Sequence, residues 1–232
     1  VAVGILSSLL IWQLLVLRDQ ERNRGIGQIH AESLRISLDN AILPLQKSLE
    51  HMARRFAKGS YQNQNMWKID AESYYSEFKG IRRLLWSDEK YIVRWVYPLT
   101  GGGDKMVGTR VRTEEANQEQ LKVRGEERRP FMSSLINLRT GGQGFVIMVP
   151  IFSDGVYRGD ISAPLVAKDF FEEVLKINDY DLVITENGKT IFSSGTPDAV
   201  FAKDWTSRVQ YNTLGVNWTI HLTPRPSLVR QN

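Results

Sequence analysis

Few residues in this sequence have the type and spacing that does chemistry, and most of them can be set aside. Cysteine is absent, so there is no disulfide, thiolate metal site or cysteine nucleophile. His30, His51 and His221 stand far apart without metal-ligand spacing, and each reads as solvated or packed. Neither G-x-S-x-G nor H-E-x-x-H occurs. Glu126-Glu127 and Glu172-Glu173 are adjacent on expected helices, where sequence neighbours diverge, so they make poor acid–base couples. Gly101-Gly102-Gly103 lacks the G-x-x-x-x-G-K-[ST] pattern of a phosphate loop. Trp86, Trp95 and Tyr97 could stack on bases, but they read as core. The net charge of +4 comes from bases interleaved with acids, as at Arg18, Asp19, Glu21 and Arg22, and not from a basic stripe. The expectation is a chain that is no enzyme, carries no cofactor or metal and binds no nucleic acid.

One carboxylate is distinguished by its surroundings. Phe145–Phe152 is apolar almost throughout, Ser153-Asp154-Gly155 has turn chemistry, and Val156–Ala163 runs back, which together predict a central hairpin covered on both faces. Alternation puts Val146, Met148 and Pro150 on one face, and on the returning strand Arg158, Asp160 and Ser162 on one face. A carboxylate among apolar side chains suits a ligand with an amine or ring N–H donor. The plainer alternative is a structural ion pair of Asp160 with Arg94 or Arg139. The candidate ligand-binding set is Asp160, Met148, Val146, Met132, Leu138, Arg94 and Glu115.

The elements around that hairpin follow from pattern. Val1–Leu17 is uncharged and is expected to be the end of a transmembrane helix, although Arg18, Arg22 and Arg24 just after it would favour the cytoplasmic side unless more positive charge precedes the span. A long stalk helix is expected over residues 18–59, with Leu38, Ile42, Leu45, Leu49, Met52 and Phe56 spaced as a heptad seam and Pro44 bending the helix or disturbing one turn. That seam serves either a parallel dimer or packing on the helix's own domain. Asp70 is expected to cap a helix over Asp70–Phe78, and Thr113 one over Thr113–Arg129. Strands are expected at Ile81–Trp86, at Tyr91–Pro98 with Tyr91, Val93, Trp95 and Tyr97 on one face, and at Met132–Leu138. Ala167–Lys176 reads as an amphipathic helix burying Phe170, Phe171, Val174 and Leu175. A second, smaller sheet follows in Leu182–Thr185, Thr190–Ser193 (across Asn187-Gly188), Val209–Tyr211 and Trp218–Leu222. The class is α+β, a long N-terminal helix followed by two antiparallel sheets.

RWVYPLTGGGDKMVGTRV, a polar helix, then LINLRTGGQGFVIMVPIFSDGVYRGDISAPLVAKDFFEEVL resembles the CHASE domain, the extracytoplasmic sensor of receptor histidine kinases and diguanylate cyclases. Pro98, Gly108, Gly144, Phe145, Val149, Pro150, Ile151, Gly155 and Gly159 carry the likeness, which covers Ile81–Leu175. The resemblance implies two PAS-like subdomains: a larger membrane-distal one over 60–166 that binds a ligand, and a smaller membrane-proximal one with its linker helix over 167–232. It also implies signalling through a homodimeric helix. In plant cytokinin receptors the pocket uses an acid and two threonines. The matching positions here are Ala116, with Glu115 beside it, Met132 and Met148, so the likeness does not extend to cytokinin.

Two functions stay open on this reading. One is a membrane-anchored, periplasmic or extracellular small-molecule sensor that regulates an output module outside these residues. The other is a structural or protein-interaction ectodomain whose pocket is filled by its own side chains, methionine being a ready gap-filler.

Overall fold

A computed structural model describes residues 2–61, 63–111, 127–139, 141–196 and 205–229, with side chains from residue 25 onward except 226 and 229. The expected helix over Thr113–Arg129 lies almost wholly outside the described residues, as does Glu115. The chain forms two compact units, one of Leu38–Lys176 with Asn212–Val216, the other of Val1–Ser37, Ile177–Tyr211 and Asn217–Asn232.

Helix α1 (Ala2–Ala57) runs unbroken through Pro44, which lies on its exposed side, where water can take the freed carbonyl. In the larger unit Leu38, Ile42, Leu45, Leu49 and Met52 are at most 2% exposed, so the heptad-spaced seam packs within its own chain. The helix stops as expected: Gly59 takes a positive φ and the Ser60 N–H bonds back to the Arg55 carbonyl at 2.9 Å. Helix α2 (Gln64–Glu77) begins earlier than expected, because Asn63 caps it by accepting the Met66 N–H at 3.2 Å. Asp70 is therefore no cap. Its carboxylate accepts from Arg55 at 2.7 Å and from the Tyr61 hydroxyl at 2.5 Å, joining α2 to the end of α1.

The larger unit holds an antiparallel sheet of β1 (Leu84–Ser87), β2 (Val93–Tyr97), β3 (Phe131–Met132), β4 (Ile136–Asn137), β5 (Gln143–Ser153) and β6 (Val156–Val166). Its order is β2-β1-β6-β5-β3, with β4 beside β5. The hairpin of β5 and β6 thus sits at the centre. The single strand expected over Met132–Leu138 is two short pieces. Between them the Ser133 hydroxyl, not a backbone carbonyl, accepts the Val146 N–H at 3.0 Å.

One face of this sheet carries Leu84, Phe145, Ile147, Val149, Ile161, Ala163 and Leu165, all at most 4% exposed. Helices cover it: Phe56 of α1 stacks on Trp86 at 4.5 Å, Trp67 of α2 on Trp95 at 5.8 Å, and Phe171 of α3 (Ala167–Val174) on Phe145 at 5.6 Å. Trp67 is fully buried, whereas Trp86 and Trp95, read as core from sequence, are half-buried beneath these helices. Tyr97 and Trp95 belong to this face, opposite Leu84 and Trp86. Val93 does not: a bulge turns it to the face of Leu85 and Val96, against the alternation expected from sequence.

The smaller unit is a four-stranded antiparallel sheet of β7 (Tyr180–Glu186), β8 (Lys189–Ser193), β9 (Ser207–Thr213) and β10 (Val216–Pro224), in the order β8-β7-β10-β9. Leu182, Ile184, Trp218, Ile220 and Leu222 form its buried face, and the His30 ring of α1 lies 5.1 Å from that of Tyr180. Arg225, just after β10, donates to Asp181 at 2.9 Å and to the Asn178 carbonyl at 2.8 Å, ahead of the short α4 (Pro226–Val229). No helix whose side chains are described is long and apolar enough to cross a membrane, and Val1–Leu17 lies outside those side chains.

Candidate ligand site

The second face of the larger sheet is covered differently. Register puts Asp160 opposite Pro150 of β5 and Ser87 of β1, Ser162 opposite Met148 and Leu85, and Val146 opposite Pro164, all on one face. Two small apolar clusters flank this row: Leu85, Val93 and Val96 under Met106 and Val111, and Phe131 with Met148 and Val146. Asp160 lies between them, 5% exposed.

A bulge decides what Asp160 meets. Ile151 pairs with Gly159, but the next residue, Phe152, pairs with Tyr157, leaving Arg158 as the extra residue. Without it Tyr157 would lie on the opposite face from Asp160. With it the Tyr157 hydroxyl donates to the Asp160 carboxylate at 2.5 Å. Gly159 is required here on two counts: its φ is +118°, and a Cβ would lie 1.9 Å from the Ser87 carbonyl oxygen. Behind Tyr157 stands Tyr91, with ring centres 5.9 Å apart. Phe152 packs on Tyr157 at 5.7 Å, and the Arg128 guanidinium lies over Phe152 at 4.9 Å.

The ion pair with Arg94 or Arg139 does not form. Arg94 grips Asp88 through two nitrogens at 2.6 and 2.7 Å. Burial raises the Asp88 carboxyl, but N–H bonds from Ile92 and Lys90 together with Arg94 outweigh it and hold the group below its ordinary value. Arg139 donates to the Thr109 hydroxyl and the Arg110 carbonyl, both at 3.0 Å. Among the described residues Asp160 has the Tyr157 hydroxyl and no cation. Burial pushes its carboxyl up to about 7, the hydrogen bond from Tyr157 acting against the rise. Burial and the neighbouring carboxylate together raise the Tyr157 phenol.

The structure puts Asp160, Met148 and Val146 on one face, with Val146 beside Met148 and Phe131. Leu138 reaches the same face at its edge, its Cδ1 lying 2.7 Å from where a Gly144 Cβ would be. Met132 stands opposite Ile147, on the helix-covered face, while Phe131 takes the place beside Met148. Arg94 is committed to Asp88. Pattern reading missed Tyr157, Tyr91 and Phe152. A glycine inside a strand at Gly159 was the available sign of a bulge, and a bulge reassigns every face before it.

The triglycine turn is the reverse of an anion cradle. Buried Arg83 donates to the carbonyls of Pro98 and Thr100, at 3.3 and 2.9 Å, and to that of Gly101.

No family model matches the chain, and no curated relative does. Solved structures do. An extracellular ligand-binding receptor from Desulfohalobium retbaense superposes with a TM-score of 0.66 at 15% identity over 84% of this chain, which spans 39% of that receptor's chain. The ligand-binding domain of the Campylobacter jejuni chemoreceptor Tlp3, in complex with 4-methylisoleucine, gives 0.63 at 11% identity, covering 92% of this chain and 95% of that one. That of the Pseudomonas fluorescens chemoreceptor CtaA, with L-isoleucine, gives 0.63 at 13%, covering 94% and 97%. This chain has the fold of a ligand-binding sensor domain, a long helix followed by two PAS-like sheets.

Proposed function

We propose that this chain is the extracytoplasmic sensory domain of a membrane-anchored receptor, and that its ligand is a small amine or amino acid held on the Asp160 face of the larger sheet. The observation that carries this reading is a carboxylate 5% exposed, met by a tyrosine hydroxyl and by no cation among the described residues. A buried charge without a partner is costly, and folds keep one where a partner arrives from outside. Tyr91, Phe152 and Tyr157 add aromatic faces suited to an ammonium group. Two of the solved structures named above, those of Tlp3 and CtaA, hold 4-methylisoleucine and L-isoleucine, which supports the ligand class. On this reading the subdomain expected over residues 60–166 is membrane-distal, that over 167–232 proximal, and occupancy is relayed by a dimer of α1 to a histidine kinase, diguanylate cyclase or comparable output.

The test is thermal unfolding of Asp19–Asn232 against amino acids, amines and adenine derivatives, with Asp160→Ala in parallel. A compound at 100 times its dissociation constant stabilises by about 2.7 kcal/mol. A saturable shift that vanishes in Asp160→Ala supports sensor and site together, and one that persists moves the site. Absence of any shift favours an interaction ectodomain, a reading that the Phe131, Met148 and Val146 cluster supports by filling part of this face with the chain's own side chains.

A further inference from the structure

Among the described residues, the groups around Asp160 supply no cation to balance its charge. From β1, Ser87 stands opposite it and the adjacent Asp88 is neutralised by Arg94 of β2. From the β1–β2 turn comes Tyr91, with Arg110 close enough to act on its phenol. From β5 the opposite residue is Pro150, which has nothing to titrate. At the end of the hairpin, Arg128 lies over Phe152 and donates to the Gly155 carbonyl at 3.3 Å. Within β6, Tyr157 gives its single proton to Asp160. Two charges of one valence can satisfy a lone carboxylate in such a place: a proton on its own oxygen, or the ammonium of a ligand.

We propose that this site is filled by exchange: Asp160 holds a proton while the face is empty and gives it up to bulk water when a primary ammonium group binds. The carboxylic acid becomes a carboxylate, the ammonium keeps its protons, and one proton leaves per ligand bound. This rests on the amine-binding reading above and adds its regulation. The affinity for an ammonium then falls about tenfold for each pH unit below the carboxyl's own midpoint, and is flat above it. The receptor would report amine and acidity together, being silenced by acid at constant ligand.

The experiment is a carboxyl carbon NMR titration of Asp19–Asn232 carrying labelled aspartate, with and without methylammonium chloride as the probe. The expected result is one aspartate titrating near neutrality, absent in Asp160→Asn, moved upward in Tyr157→Phe and downward by methylammonium. If every aspartate titrates in the ordinary carboxylate range, the protonated empty state is overturned. If the neutral-range midpoint is there but methylammonium leaves it unmoved, the exchange is overturned. Either failure leaves the thermal-shift result for amino acids standing, since a ligand read by other groups would still stabilise the fold.

Discussion

A carboxylate at 5% exposure in an apolar sheet costs stability whenever it is charged. The sign follows from where its proton sits. Burial raises the folded Asp160 carboxyl to about 7, whereas the unfolded chain leaves it near 3.9, so between those values the folded state binds more protons. Asp160 therefore contributes full stability below about pH 4 and loses it as pH rises through about 7. Asp160→Asn, a near-isostere without the charge, should be more stable than the unchanged protein at pH 8 by an amount on the order of a few kcal/mol, and the gap should close toward pH 4. Urea unfolding at the two pH values checks it. Equal differences at both would mean that the carboxyl is solvated in the folded state.

At the scale of the element, the bulge of β6 is the device that makes the site. It is held by Gly159, whose φ of +118° and contact with the Ser87 carbonyl leave no room for a Cβ. Gly159→Ala should cost at least about 2–3 kcal/mol, more than glycine's usual conformational advantage, because backbone has to move as well. It should also separate Tyr157 from Asp160. Denaturant unfolding measures the first effect, and loss of the Tyr157→Phe effect on the Asp160 titration measures the second. A variant of unchanged stability would show that β1 and β6 part easily. Helix α1 argues differently. Its seam residues are buried in their own chain, and the same 4-3-4 spacing serves a helix laid on a sheet as well as one laid on a second helix.

At the scale of the whole molecule, the proposed dimer needs another surface. Ile29, Ile36 and Leu43 on α1 recur at intervals of seven and are 71%, 48% and 52% exposed. A stripe with a seven-residue repeat matches its own copy along a two-fold axis. Ile29→Lys with Ile36→Lys should weaken self-association at least about tenfold, since like charges would face each other across that axis, while leaving unfolding of the monomer almost unchanged. Sedimentation equilibrium reads the first and urea unfolding the second. A dimer that survives both substitutions would place the interface elsewhere.

What the sequence determined by itself was the periodic part. The apolar run of Phe145–Phe152 against Val156–Ala163 meant a central hairpin, the seam of Leu38–Met52 meant a buried helical stripe, and Asn187-Gly188 meant a second hairpin, because burial imposes its period on residue choice wherever an element is regular. Asp160 was legible too, as an acid among apolar neighbours. What only the tertiary structure decided was who its neighbours are. The bulges at Val93 and Tyr157 each change faces by one residue, so Tyr157 comes to Asp160 and Val93 joins Leu85. Met132 goes to the far side because its partner is Ile147. Arg94 is claimed by Asp88 because the β1–β2 turn folds back on itself through bonds from Lys90 and Ile92. Register and pairing are set by contacts between distant residues, and no local pattern records them.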